Sequence, residues 1–88
     1  MNKEQTFKQW QELCHDINGK QFEDIKQQYN DQTIHEDETY IQVEDIDGQL
    51  TVYIDRQEDG TARVSGDNIH VLNDEGTDVL FFNFETSL

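Results

Sequence analysis

Proline is absent from this 88-residue chain, cysteine occurs once, and only six residues are basic. Each shortage excludes something. A single cysteine, Cys14, cannot form an intrachain disulfide, which fits a reducing compartment. No run is apolar for long enough to span a bilayer, and no basic-then-apolar leader opens the chain. The expectation is a soluble, cytoplasmic protein, in the host cytoplasm if a phage encodes it. Against the six bases stand twenty acids, a formal net charge of −14. Nucleic acid and anionic membrane are repelled by such a chain, so its natural partners are basic proteins or cations.

The charge is unevenly spread. Residues 1–26 hold five acids and four lysines, whereas residues 27–88 hold fifteen acids and only Arg56 and Arg63. Only 33% of residues are apolar, and acidic chains of that kind are often disordered. Here, however, the acids are interleaved with strand-forming residues and turn signals, and nine aromatics sit at periodic positions. That pattern describes a folded domain.

Helical spacing of Phe7, Trp10, Cys14 and Ile17, with Leu13 beside them, predicts a first helix. Thr6 with Gln9 three residues on suggests its N-cap, and Asn18-Gly19 its stop. A second, shorter helix is expected from about Gln21, with Phe22, Ile25 and Tyr29 on one face. From Glu38 the period becomes two. Strands are expected near 39–46, 49–56, 61–65, 68–73 and 78–84, separated by Asp47-Gly48, Asp59-Gly60, Gly66-Asp67 and Glu75-Gly76. Leu50, Val52 and Ile54 share one face of their strand, and Thr51, Tyr53 and Asp55 the other. The run "VLFFNF" is apolar on both sides, as in a central strand or one covered at both faces. The fold class that follows is α+β: two short N-terminal helices, about 6–30, packed on one face of a four- to five-stranded antiparallel β-meander, about 38–85. Residues 1–88 form one domain, and the opposite sheet face with its turns is expected to carry most of the carboxylates.

No reaction is written in these residues. An EF-hand loop needs oxygen ligands at positions 1, 3 and 5, Gly at 6 and Glu at 12. Anchored on Gly60, it finds Asp55, Gln57 and Asp59, but Gly66 falls where the bidentate Glu belongs. Anchored on Gly48 or Gly76, it begins on Val43 or Val71. His15, His35 and His70 lie far apart, and "IHEDE" places neighbours that point in different directions. Cys14 and His15 are adjacent and so do not face one another on a helix; Cys14 reads as a small buried hydrophobe. No catalytic residue, metal ligand or cofactor site is assigned, and the chain is expected not to be an enzyme.

A strand advances about 3.3 Å per residue and its neighbours lie about 4.8 Å away. Carboxylates on a sheet face and at its hairpin ends therefore recur at spacings comparable to DNA phosphates, one charge per roughly 1.7 Å of duplex. In size, charge, compact α+β build and lack of a catalytic motif, the chain resembles the small acidic DNA-mimic inhibitors of phages and mobile elements. These include anti-CRISPR proteins, anti-restriction proteins and uracil-DNA glycosylase inhibitors. The resemblance is one of class and carries no family motif. It implies an inhibitor that fills the basic nucleic-acid groove of a nuclease or DNA-processing enzyme, without touching nucleic acid or membrane itself, as a monomer or weak homodimer.

The carboxylates expected to meet that partner are Glu36, Asp37 and Glu38 before one strand, and Glu44, Asp45 and Asp47 at its far end. Glu58 and Asp59 in the next turn, and Asp74, Glu75 and Asp78 before the last strand, complete the set. Tyr40 and Tyr53 join them as contact residues, because they fall opposite their strands' aliphatic series. Two alternatives use the same charge: an immunity protein or antitoxin against a basic nuclease toxin, and a non-inhibitory acidic interaction domain.

Overall fold

The computed structural model describes residues 3–45, 49–72 and 78–84. Helix α1 (Lys3–Ile17) and helix α2 (Phe22–Gln28) are followed by one 3₁₀ turn (Asn30–Gln32) and strands β1 (Thr33–Glu36), β2 (Tyr40–Asp45), β3 (Leu50–Arg56), β4 (Ala62–Val64), β5 (Ile69–Leu72) and β6 (Asp78–Phe82). The result is an α+β fold with N-terminal helices and an antiparallel sheet.

The apolar stripe of α1 does what its spacing predicts. Trp10, Leu13 and Ile17 are buried, with Phe7 and Cys14 packed against the same core. Phe22, Ile25 and Tyr29 of the α2 segment join them. Across from the helices lie Ile41 and Val43 of β2, Leu50, Val52 and Ile54 of β3, and Ile69 and Val71 of β5. Strand alternation therefore sends one set of side chains into the helices and the other away from them.

Thr6 is not the N-cap. The helix is already under way at Lys3, so Thr6 sits inside it, fully buried. The stop is as expected. Gly19 takes φ +86°, the left-handed conformation that ends helices cheaply only without a Cβ.

Across the sheet the order is β1-β2-β3-β5-β6, with β4 also paired to β3. β4 lies along the C-terminal half of β3 (Ile54↔Val64), and β5 along its N-terminal half (Thr51↔His70). Both run antiparallel to β3, so they are two pieces of one interrupted strand. Gly66-Asp67 is thus not a hairpin turn, as its sequence suggests, but part of a bulge between those pieces. Asn68 there adopts φ 55°, which Asn tolerates better than most residues. The bulge is pinned: the buried Trp10 indole N–H donates to the Ser65 carbonyl at 2.9 Å, and the Phe84 N–H donates to the Gly66 carbonyl.

The free side of β4 is covered by the link between the helices. Phe22 N–H donates to Gly60 carbonyl, Ala62 N–H to Lys20 carbonyl, and Gly19 N–H to Ala62 carbonyl. Val64 N–H donates to the Asn18 side-chain oxygen at 2.7 Å. An otherwise exposed sheet edge is closed in this way. β1 and β6 end the sheet's pairing order. The "VLFFNF" segment is accordingly an outer strand, not a central one; Phe81 is 55% exposed while Phe84 is buried in the core.

Candidate functional site

The side of the sheet turned away from the helices carries no layer of secondary structure among the described residues. Strand pairing assembles it from distant parts of the chain. In one row Glu44 of β2 stands opposite Thr51 of β3, and Thr51 opposite His70 of β5. In the next rows Gln42 faces Tyr53, and Tyr40 faces Asp55. The rings of Tyr40 and Tyr53 lie 5.7 Å apart, and His35 of β1 stacks on Tyr40 at 5.3 Å. At the other side His70 meets the edge of Phe81 at 5.3 Å. Ile34 and Phe81, the two large hydrophobic residues that are 50% or more exposed among those described, both belong to this face.

Most of the carboxylates were expected on this face together with its turns, and the face itself carries few of them. On β2 and β3, Glu44 and Asp55 are the acids that alternation directs outward. The irregularity in register between Thr33 and His35 explains part of this. It leaves Ile34 and His35 on the open side and returns Glu36 to the helix side. There the Glu36 carboxylate lies 3.0 Å from the Lys26 ammonium of α2. Lys26 thus supplies Glu36 with a base from another element. Hydrogen bonding to Glu36 is the largest influence that raises the Lys26 pKa above its ordinary value.

Most of the predicted carboxylates instead occupy the ends of the sheet. Asp37 and Glu38 fill the turn between β1 and β2, and Glu58 and Asp59 the turn between β3 and β4. These turns adjoin, because Arg56 N–H donates to the Thr39 carbonyl at 2.8 Å. Each is fixed by an aspartate that bonds forward. The Asp37 carboxylate accepts from the Thr39 N–H and hydroxyl, both at 3.2 Å. The Asp59 carboxylate accepts from the Thr61 N–H at 3.0 Å and the Thr61 hydroxyl at 2.6 Å. The backbone N–H of Thr39, then its hydroxyl, holds the Asp37 pKa below the usual carboxylate range. For Asp59 the Thr61 hydroxyl does so first and the N–H second.

Asp45 closes β2 and Asp78 opens β6 at the opposite end, as the pairings Asp45↔Leu50 and Leu72↔Asp78 place them. Asp47, Asp74 and Glu75 lie outside the described residues, as do the Asp47-Gly48 and Glu75-Gly76 turn signals. The expectation gave the acids to the open face and its turns together; among the described residues the turns and strand ends hold most of them and the face holds few. Sequence reasoning singled out Tyr40 and Tyr53, which the sheet brings together, and missed Ile34, Thr51, His70 and Phe81. Their common face depends on strand order, which local periodicity does not encode.

Among the described residues there is no group of three or more His, Cys, Asp or Glu that could hold a metal ion, and no helix long and apolar enough to cross a membrane. Burial pushes the Cys14 thiol up in pKa, as for a packed rather than an activated cysteine. No protein-family model, no curated protein and no solved structure matches the chain.

Proposed function

We propose that this chain acts by binding, not catalysis, as an acidic inhibitor that occupies the basic nucleic-acid groove of a defence or DNA-processing protein, for example a CRISPR or restriction nuclease. The observation that carries this reading is the pair of adjoining turns in which Asp37 and Asp59 are held by Thr39 and Thr61 beside Glu38 and Glu58. Carboxylates fixed before binding lose little conformational freedom on meeting arginine and lysine. The charge of residues 27–88 steers a basic partner toward them. A cytoplasmic location and a monomer or weak dimer belong to the same proposal.

Duplex mimicry in this form comes from the sheet's turn-bearing end, not from a lattice of acids across its face. The exposed Ile34 and Phe81, on the two outermost strands, add a second element, since apolar side chains on an acidic chain fit a protein surface better than a bare phosphate analogue would. That feature also suits the immunity-protein or antitoxin alternative. Here binding to a nuclease toxin persists at raised salt through apolar contact.

The test is competition. Labelled duplex DNA is bound to a guide-loaded CRISPR nuclease or a restriction nuclease, and the full chain is added at low and at raised salt. Displacement of DNA with loss of cleavage, weakened by E38Q/E58Q, supports the inhibitor. Each neutralised contact is expected to reduce the log–log salt slope by about one. No displacement from any basic nuclease at low salt sinks it.

A further inference from the structure

The link between the helices contains the chain's single Asn-Gly step, Asn18-Gly19. Asparagine is a thermolabile residue, and before glycine it is especially so, because no Cβ shields the following backbone nitrogen from the side-chain amide. Both residues are exposed, and a Cβ placed on Gly19 would meet nothing within 4 Å. Crowding therefore does not protect the pair. With Cys14 and Arg63, Asn18 also lines a depression of about 280 Å³. Water needs only roughly 30 Å³, so solvent has room beside the amide.

Hydrogen bonds protect the pair instead, and β4 holds both reacting atoms. The Gly19 N–H, source of the nucleophile, donates to the Ala62 carbonyl at 3.0 Å. Asn18 Oδ1, on the carbon that would be attacked, accepts from the Val64 N–H at 2.7 Å. A further hydrogen bond joins the Asn18 side chain to Cys14. The two bonds to β4 act in opposite senses. The Val64 N–H lies where an oxyanion would form and so primes the amide carbon. The Ala62 carbonyl holds the proton that the Gly19 nitrogen must lose, and approach of that nitrogen to Cγ requires the bond to break. In the closed state the second effect wins, since a backbone nitrogen that keeps its proton is no nucleophile.

We propose that Asn18-Gly19 is a self-modification site gated by β4, which deamidates when the link lifts off the strand and not before. On opening, base takes the Gly19 amide proton and the nitrogen bonds to Asn18 Cγ. The Cγ–Nδ2 bond breaks, and ammonia leaves with a proton from solvent. Water then opens the cyclic imide at either carbonyl, giving aspartate or isoaspartate. The net change is water consumed and ammonia released. Each product adds a negative charge to a chain already at −14. An aspartate oxygen still accepts from the Val64 N–H. Isoaspartate routes the main chain through the former side chain, so its oxygen and the Gly19 N–H no longer match Val64 and Ala62. Closure of the free side of β4 is then lost, and a transient opening becomes a permanent one. The inference is independent of the groove-inhibitor reading.

The test follows the full chain at mildly alkaline pH, in buffer and in unfolding urea, by peptide mapping and mass spectrometry at residue 18. Deamidation is expected to be on the order of a hundredfold slower in the folded chain. Across urea concentrations below the unfolding transition, its rate should rise in proportion to amide exchange at Gly19, which reports the same opening. Trp10→Phe leaves Asn18 and Gly19 untouched and loosens the bulge beside β4. It should speed both Gly19 exchange and modification of the folded chain about tenfold, with the rate in unfolding urea unchanged. The purified isoaspartate form should exchange the Val64 amide about tenfold faster than the unmodified chain.

Three outcomes overturn the gate: equal rates in the folded and unfolded chain, no modification at residue 18 in either, or rates that do not track Gly19 exchange in urea or in the variant. Unaltered Val64 exchange in the isoaspartate form overturns the permanent opening.

Discussion

Trp10 shows how a single residue ties the two layers together. Its ring lies within 5.6 Å of Phe7 and 5.4 Å of Phe84, and its N–H reaches the Ser65 carbonyl in the interrupted strand. Trp10→Phe keeps most of the apolar volume and strands that carbonyl. A loss of about 1–3 kcal/mol in urea unfolding is expected, with binding to basic partners intact. Asp37 and Asp59 make a prediction of opposite kind. Their folded pKa values are lowered by bonds from Thr39 and Thr61, so their contribution is present above the unfolded aspartate value of about 3.9. It is lost as pH falls through the lower folded values. D37N/D59N should therefore flatten the acid limb of the melting-temperature profile below about pH 4. An unchanged limb would show that the turns do not hold these carboxylates in solution.

At the scale of elements, the link between the helices is as much part of the sheet as of the helix pair. Asn18 and Gly19 end α1, yet the Asn18 side chain caps Val64 N–H and Gly19 N–H meets the Ala62 carbonyl. Asn18→Ala removes the acceptor and leaves a donor in β4 unpaired, at a cost of about 1–3 kcal/mol. Because β4 borders the bulge, amide exchange at Ala62–Val64 should accelerate more than exchange in β2. Uniform acceleration would mean that the link does not specifically secure β4. The Asn18-Gly19 stop was legible because left-handed glycine follows from local sterics. The hydrogen bonds across to β4 were not, since they join residues more than forty positions apart.

For the whole molecule, charge sets the conditions for stability. With twenty acids against six bases, the excess carboxylates repel one another in the compact state, and the described salt bridge, Lys26–Glu36, is on the surface. Added salt screens this repulsion, with a Debye length of about 10 Å at 0.1 M. The melting temperature is expected to rise from low to moderate sodium chloride while affinity for a basic partner falls. Calorimetry and competition binding read the two trends. A melting temperature independent of salt would place the acids too far apart to strain the fold. The opposed trends are what a surface kept for a positive partner should produce, because the interaction that binds is screened together with the repulsion it tolerates.

The sequence by itself determined the two helices, their buried stripes, the β2 and β3 alternation, the Gly19 stop and the excess of negative charge. All of these rest on periodicity, backbone sterics or composition, which act within a few residues. Tertiary structure decided the rest. It split one strand position between β4 and β5, left β6 at the margin, turned Glu36 toward Lys26, and gathered Ile34, Thr51, Tyr53 and His70 onto one open face. Strand order and a shift of register are fixed by which distant apolar sets can pack together, and a slip of one residue exchanges the two faces of a strand. In "IHEDETYIQVED" such a shift leaves Ile34 and His35 outward and sends Glu36 to the helices, so the surface a partner meets was settled by pairing and not by composition.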